Sequence, residues 1–545
     1  MKLLPFPTNP HLIFRFAGVF LGLLLSISNA KADPAATALR RPVASTTAGK
    51  ISGYIDNGIT AFKGIPYGDD TAKHRFQPPV PPVPWEGVRD CLDFGPIAPQ
   101  PFSEHERRTE LFPEPKEGTL VSEDCLHLNV WTPALHDGKK RPVLVYFHGG
   151  GYNGWSCNVD VYDGVRLCKR GDVVVVTVNH RLNGFGYLYL AELGGAEFAD
   201  SGNVGQLDLI LALKWVRNNI AEFGGDKNRV TIFGQSGGGA KCATLMAMPA
   251  ARGLFHRVWT MSGQQLTGRT KDHGTETARA VLKKLGLTPD RISEIKTIPM
   301  EQLITAFQSQ IFTPVVDGHN LPRDPFAPDA SPLSADIPMV MGNTHDETTF
   351  FFGASDPATF DLTWETLPEK LTQHVTQYIG QLTPGKIVAE YRTYYPSYSP
   401  SDIFFAATTA ARSWKGFVIQ SDRRAVQAGA KTYVYYLNWH APADGGKWRA
   451  PHTLDIPLVF DNISHWHSMT GGTPEAQRVA DQMSDALIAL ARNGIPNTPS
   501  LPAWPTYELP RRPAMDFDIK SRIEDDPRSA ERILFAPIEY IQPGT

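Results

Sequence analysis

The strongest chemical signal in the sequence is a serine surrounded by small residues. The segment 234–238 reads GQSGG, with Ser236 at its centre, and it directly follows the apolar run RVTIF at 229–233. A serine on a tight turn between a strand and a helix has its hydroxyl lifted clear of the sheet, and the crowded backbone there requires small neighbours. An ordinary glycine-rich turn is the alternative, which the position after a buried strand disfavours. The pattern predicts a nucleophilic serine.

A second glycine-rich segment has the composition of an oxyanion-binding loop. Residues 148–152 read HGGGY and follow the apolar run PVLVYF at 142–147. Consecutive glycines bring bare backbone N–H groups close to a ligand, which the stabilisation of an acyl-transfer oxyanion requires. We expect an oxyanion hole built from the backbone N–H groups of Gly150, Gly151 and Gly237.

The elements that position these residues have an α/β pattern. Five short runs rich in β-branched and aromatic residues are typical of buried strands, at 142–147, 172–178, 229–233, 338–341 and 432–439. Between the second and third runs, residues 205–223 carry apolar side chains at helical spacing. Strand–helix–strand alternation predicts a largely parallel sheet covered by helices. The segments 270–310 and 353–430 favour helical insertions.

Composition excludes several classes of protein. The chain has 545 residues, of which 42% are hydrophobic, and its formal net charge is −3. This apolar fraction suffices for a buried core, so disorder is excluded as the main state. The charge argues against a nucleic-acid binder, which would carry a basic excess. The five cysteines form no CxxC pair, so we expect no zinc or other metal site.

The N-terminal segment is typical of an export signal. Lys2 and Arg15 precede an apolar run at 16–27, and small residues follow at 30–32. This run is too short to cross a bilayer, which needs about 20 residues. We therefore expect residues 1–32 to be a cleaved signal peptide rather than a retained anchor. The mature chain would be secreted or periplasmic, with no stable membrane anchor.

Export permits disulfides, which changes how the cysteines are interpreted. Cys91 and Cys125 bracket a proline-rich, charged segment, and a disulfide between them would stabilise the fold by about 3–4 kcal/mol. Cys157 and Cys168 are a weaker candidate pair, and whether they pair stays open. Cys242 is then the odd cysteine, for which a small buried thiol is the expected state.

Several stretches together resemble the type-B carboxylesterases, relatives of the cholinesterases. They read EDCLHLNVWTP at 123–133, GGDKNRVTIFGQSGGG at 224–239, FTPVVDG at 312–318, RNGIPN at 492–497 and LPAWPTY at 501–507. The first is similar to a family signature that contains a disulfide-forming cysteine. The likeness extends from about residue 43 to about 535, in family order. It implies an α/β-hydrolase fold over 33–545 as a single domain, a large mostly parallel sheet flanked by helices, with helical insertions forming a gorge.

The resemblance also implies a catalytic triad. The family acid lies in a G-x-x-x-D-E stretch, here 342–347, which points to Glu347. The family histidine opens an H-x-x-(D/E)-(I/L)-P stretch, here 452–457, which points to His452. Ser236, Glu347 and His452 then follow the Ser–acid–His chain order of α/β-hydrolases.

Two residues beside the serine depart from the family pattern. Gln235 stands where the family usually has Glu, and Gly237 stands where it usually has Ala. Both are expected to bear on substrate preference or rate, and neither changes the reaction class.

The sequence thus predicts a secreted or periplasmic serine carboxylesterase that cleaves small-molecule esters through a Ser-His-Glu triad and an acyl-enzyme, with no cofactor. A lipase, a lactonase or a carbamate or amide hydrolase of the same fold is an alternative. A non-catalytic cholinesterase-like binding protein is another, which the retained triad residues disfavour. The ester preferred and the oligomeric state stay open, as does glycosylation of Asn462, whose NIS sequon matters only in a eukaryotic host.

Overall fold

The computed structural model describes residues 41–101, 118–465 and 467–543. The predicted signal peptide at 1–32 lies outside the described residues.

The described residues contain fourteen strands, whose bounds follow. They are β1 (Val43–Ser45), β2 (Lys50–Ser52), β3 (Tyr54–Asp56), β4 (Ile59–Pro66), β5 (Val88–Asp90), β6 (His127–Thr132), β7 (Arg141–Phe147), β8 (Val174–Val178), β9 (Gly225–Gln235), β10 (Arg257–Met261), β11 (Met339–Thr344), β12 (Thr432–Leu437), β13 (Pro513–Phe517) and β14 (Arg522–Asp525).

Eleven of these strands form one sheet, in the order β14-β13-β12-β11-β10-β9-β7-β8-β6-β4-β3. The seven strands from β13 to β8 in this order pair in parallel, and the strands at both edges pair antiparallel. Strands β1, β2 and β5 form a separate small sheet. The mostly parallel central sheet predicted from the sequence is therefore confirmed.

Fifteen α-helices lie in the same described residues. They are α1 (Val165–Gly171), α2 (Asn183–Tyr187), α3 (Ala191–Gly194), α4 (Val204–Asn219), α5 (Gly237–Leu245), α6 (Lys271–Lys284), α7 (Met300–Phe307), α8 (Leu367–Ile379), α9 (Pro384–Tyr394), α10 (Pro400–Thr409), α11 (Lys415–Ala425), α12 (Asp455–Val459), α13 (His467–Thr470), α14 (Pro474–Asn493) and α15 (Ser529–Phe535). Two π-helical turns, Thr349–Gly353 and Ala410–Trp414, interrupt the helical segments.

The central strand β7 is buried on both faces of the sheet. Val143, Val145 and Phe147 belong to one hydrophobic cluster, and the intervening Leu144 and Tyr146 belong to another. Because side chains alternate along a strand, the two clusters are the cores on opposite faces. This double burial explains why the sequence of the strand is a continuous apolar run.

The five predicted strands are present as β7, β8, β9, β11 and β12, and the predicted crossover helix is present as α4. The segments expected to be helical insertions contain α6 and α7, and α8 to α11. The strands β4, β6, β10 and β13 have no counterpart among the predictions. Within the described part of the chain, no helix is both long enough and apolar enough to cross a bilayer.

The structure corrects the expected disulfide between Cys91 and Cys125, because both are buried free thiols. The backbone N–H of Cys91 donates to the carbonyl oxygen of Ser52, and burial raises the pKa of the Cys91 thiol to about 12. Cys125 lies near the Tyr67 hydroxyl and the guanidinium of Arg181. The two thiols have different polar neighbours, and no bond joins them.

The remaining cysteines are also buried free thiols, so the structure does not pair Cys157 with Cys168. Asn129 Nδ2 lies 3.3 Å from the Cys157 sulfur, and the Cys168 thiol donates to the carbonyl oxygen of Trp131 at 3.4 Å. Cys242 is fully buried in a hydrophobic cluster, which confirms the expected small buried thiol.

Candidate active site

Ser236 forms the turn between β9 and α5, as its sequence context predicts. Its φ of 56° and ψ of −126° lie in the left-handed half of conformational space, which a non-glycine residue adopts only under strain. The backbone N–H of Ser236 donates to the carbonyl oxygen of Met261 at 2.7 Å, which ties the turn to the end of the neighbouring strand β10. The side chain stands at the carboxyl end of the parallel strands, where ligands bind in open α/β sheets.

Glu347 and His452, which are far apart in sequence, meet beside this turn. Nδ1 of His452 is hydrogen-bonded to Oε2 of Glu347. Both residues are buried, with 1% of Glu347 and 3% of His452 exposed. Glu347 follows the end of β11, and His452 lies in the connection from β12 to α12. The two predicted partners of the serine are therefore in direct contact.

The second oxygen of Glu347 is also occupied. Oε1 accepts hydrogen bonds from the Ser262 hydroxyl at 2.5 Å and from the Thr344 backbone N–H at 2.9 Å. Burial alone would raise the pKa of Glu347, but His452, Ser262 and Thr344 outweigh it, so the pKa is lowered. The carboxyl group stays ionised, as an acceptor for the imidazole must.

Gln235, one of the two departures from the family pattern, contacts the histidine. Its side-chain nitrogen lies 3.1 Å from Nε2 of His452. An amide N–H can only donate, so Nε2 is the unprotonated nitrogen and Nδ1 carries the proton toward Glu347. In this tautomer the lone pair of Nε2 accepts from Gln235, the neighbour of Ser236 in the sequence.

The glycine loop after β7 packs against the serine turn. Gly150 and Gly151 have φ angles of 75° and 60°, which favour glycine. A Cβ added at Gly237 would lie 2.1 Å from the carbonyl oxygen of Gly151, and one added at Gly149 would lie 3.5 Å from Cβ of Ser236. The three glycines predicted to form the oxyanion hole are therefore adjacent, and the loop fits only because position 237 lacks a side chain.

A buried lysine, which the sequence analysis missed, anchors this loop. Lys241 lies on α5 with no exposed surface, and its Nζ donates to the carbonyl oxygen of His148 at 3.0 Å. The His148 ring stacks on His180, with ring centroids 4.7 Å apart. Burial lowers the pKa of Lys241 to about 7. The sequence could have indicated this role, because Lys241 is the one charged residue in the stretch GGGAKCATL, whose other residues are small or apolar.

Another buried carboxyl group lies near the pair formed by Glu347 and His452. Asp455 is fully buried, and the hydroxyl of Tyr435 donates to its Oδ2 at 3.0 Å. Burial, and secondarily the charge of Glu347, raises the pKa of Asp455 to about 7. Asp455 is thus predominantly protonated below neutral pH.

An aromatic wall borders the histidine. The Phe351 ring centroid lies 4.5 Å from that of His452, and the Phe350 centroid lies 5.6 Å away. Both phenylalanines belong to the π-helical turn that follows Glu347, and π turns are frequent at functional sites. Within the described residues, no cluster of three or more metal-ligating side chains could hold a metal ion.

Comparison with known proteins now decides the family. A profile of the Carboxylesterase family matches residues 40–534. The chain belongs to the carboxylesterase family. A para-nitrobenzyl esterase from Bacillus subtilis (strain 168) is 33% identical over 507 residues, covering 90% of this chain and 97% of that relative. A phenmedipham hydrolase from Pseudarthrobacter oxydans is 33% identical over 502 residues, covering 86% and 93%.

Solved structures agree with this assignment. A carboxylesterase from Geobacillus stearothermophilus superposes with a TM-score of 0.78 and 36% identity, covering 91% of this chain and 100% of the other. The carboxylesterase described here therefore has the α/β-hydrolase fold and is a carboxylic ester hydrolase that acts on small-molecule esters. The predicted family, fold and enzyme class are confirmed.

Proposed function

We propose that this carboxylesterase cleaves esters through Ser236, His452 and Glu347 with an acyl-enzyme intermediate. The observation that carries the proposal is the hydrogen-bonded pair of Glu347 and His452, whose unprotonated Nε2 accepts from Gln235, the residue before Ser236. A serine hydroxyl is a weak nucleophile until a base takes its proton, and the neutral imidazole nitrogen is that base.

The reaction then proceeds in two halves. His452 accepts the Ser236 proton as the serine oxygen attacks the ester carbonyl, and the N–H groups of Gly150, Gly151 and Gly237 stabilise the oxyanion. The ionised Glu347 stabilises the imidazolium, which returns its proton to the leaving alcohol. Water, activated by the same imidazole, then hydrolyses the acyl-enzyme and releases the acid.

The side-chain amide of Gln235 takes part in the first step of this reaction. It donates to Nε2 at 3.1 Å, the position that the Ser236 hydroxyl must take for proton transfer. Substrate binding is therefore expected to exchange the amide for the serine hydroxyl. Because the amide is neutral, this exchange requires no separation of charge.

The proposal is tested by replacing Ser236 and measuring both hydrolysis kinetics and covalent labelling of the variant. Ser236→Ala is expected to abolish p-nitrophenyl butyrate hydrolysis and modification by a serine-directed organophosphate, while circular dichroism stays unchanged. Ser293→Ala, at an exposed serine, is the matched control and should retain both. Wild-type turnover or labelling by the folded Ser236→Ala variant would overturn the proposal.

We also propose that the enzyme is exported and that residues 1–32 are removed. The charged start, the short apolar run and the small residues before residue 33 support this location. Fractionation of expressing cells with mass spectrometry of the protein's N-terminus tests it. Export predicts a mature chain beginning near Asp33 outside the cytoplasm, and retention of residues 1–32 in the cytoplasm would contradict it.

A further inference from the structure

An arginine without a carboxylate partner lies one aromatic ring away from the catalytic histidine. Arg412 belongs to the π-helical turn Ala410–Trp414, and its guanidinium carbon lies 3.7 Å from the ring centroid of Phe351. The same ring also contacts His452, at 4.5 Å between centroids. Two π turns therefore meet at this wall, one carrying the ring and the other the cation.

The charge of Arg412 is unbalanced within the described structure. Arg181 and Arg528, also enclosed, each pair with a carboxylate at 2.6 Å, whereas among the described residues no carboxylate lies within ion-pair distance of Arg412. Its Nη1 donates a hydrogen bond to the Ser413 hydroxyl at 3.2 Å. An arginine offers five N–H donors, so most of its bonding capacity is unused by acidic groups.

The nearest acid cannot take this place. Both oxygens of Glu347 are already occupied, by His452 on one side and by Ser262 and Thr344 on the other. The remaining groups that interact with the guanidinium are the phenol hydroxyls of Tyr378 and Tyr540. Burial lowers the pKa of Arg412, which Tyr378 and Glu347 offset only in part. An enclosed cation of this kind is costly unless an anion joins it.

Arg412 is largely but not completely buried. Part of its surface stays exposed, and Phe351, whose ring it contacts, is likewise only half-buried. A substrate that enters beside Phe351 would therefore meet the guanidinium.

We propose that Arg412 binds a carboxylate of the substrate, so that the enzyme favours esters carrying a second, free acid group. This inference rests on the proposed function, since it assumes that the ester reacts at Ser236. The planar guanidinium can hold a carboxylate through two parallel hydrogen bonds, and the Tyr378 hydroxyl can supply a third donor. Because only the Phe351 ring lies between the guanidinium and the imidazole, a short carbon chain between the acid and the ester of the substrate suffices.

The experiment compares matched esters that differ only in charge. For an acid on the acyl side, monoethyl glutarate is compared with ethyl pentanoate; for an acid on the alcohol side, 4-(butanoyloxy)butanoate is compared with butyl butanoate. The measured quantity is the ratio of kcat/KM for the acidic ester to kcat/KM for its neutral partner. We expect Arg412→Met to lower this ratio roughly 10- to 100-fold in one arm. Which arm responds identifies the side that carries the acid.

Two further variants sharpen the result. Arg412→Lys keeps the charge without the planar fork and should give an intermediate ratio. Arg217→Met, at an exposed arginine on α4, is the control and should leave both ratios at their wild-type values. Equal ratios in wild type and Arg412→Met in both arms would overturn the inference.

Binding measurements keep the inference separate from the chemistry. Calorimetry should show pentanoate, which carries a carboxylate, binding the wild-type enzyme at least about tenfold more tightly than uncharged 1-pentanol, and Arg412→Met removing that difference. Equal affinities in wild type would overturn the inference even if Arg412→Met fails to fold. Failure of Ser236 to react with any ester, with the preference for pentanoate intact, would count against the proposed function alone.

Discussion

Replacing the buried acid Asp455 by Asn should stabilise the enzyme at alkaline pH and much less at acid pH. Asp455 is fully buried, and its pKa rises from 3.8 to about 7. Because the folded state holds the proton more tightly than the unfolded state, folding stability falls as pH rises from about 4 to about 7. At 1.36 kcal/mol for each pKa unit, burial of Asp455 costs about 4 kcal/mol above pH 8, where the group is ionised in both states, and about 1.5 kcal/mol at pH 5, where folding must protonate it.

Asp455→Asn avoids this cost and keeps an oxygen to accept the Tyr435 hydroxyl. The assay is urea unfolding followed by tryptophan fluorescence at pH 5 and pH 8.5. The variant should exceed wild type by about 2.5 kcal/mol more at pH 8.5 than at pH 5. Asp93→Asn, at an exposed aspartate, is the control. A stability difference between Asp455→Asn and wild type that is the same at both pH values would refute the reasoning.

Two further predictions concern the glycine loop. Gly237→Ala should lower kcat about 100- to 1000-fold, because the added Cβ would lie 2.1 Å from the Gly151 carbonyl oxygen and displace one oxyanion donor. Gly385→Ala is the control and should keep the wild-type kcat, because its Cβ would meet no atom within 4 Å. Equal rates for the two variants would contradict the prediction. Lys241→Met should lower kcat about tenfold, because the His148 carbonyl loses its hydrogen-bond donor. It should not lower the unfolding temperature, because a buried ammonium group is costly. Lys283→Met, at an exposed lysine, is the control, and a parallel loss of kcat and thermal stability in Lys241→Met would indicate a purely structural role.

The central strands and the serine turn could be predicted from the sequence alone, for a physical reason. Residues 142–147 of β7 and 230–233 of β9 are completely buried, so these segments are mainly apolar runs. In this chain, glycine is favoured at 150 and 151 by positive φ angles and at 237 and 238 by the close approach of neighbouring backbone. Local composition therefore records these features directly.

The partners of the triad could not be found this way. Ser262 reaches Glu347 only because β10 and β11 are adjacent in the sheet, and nothing local in the sequence states that adjacency. Arg412 reaches Phe351 through the packing of two π turns for the same reason. The expected Cys91–Cys125 disulfide was wrong because spacing along the chain gives no information about which side chains face each other.

The choice of the acid in the triad illustrates what three dimensions add. Asp346 and Glu347 are neighbours in sequence, but burial of Asp346 is outweighed by His345 and Arg449, which lower its pKa to about 2. Asp455 is buried beside a tyrosine with no cation, so it holds its proton to about pH 7. Of the three, only Glu347 is both ionised and in contact with His452. Below about pH 7 the neutral Asp455 also adds no second negative charge, so the imidazolium formed during catalysis interacts there mainly with the carboxylate that orients it.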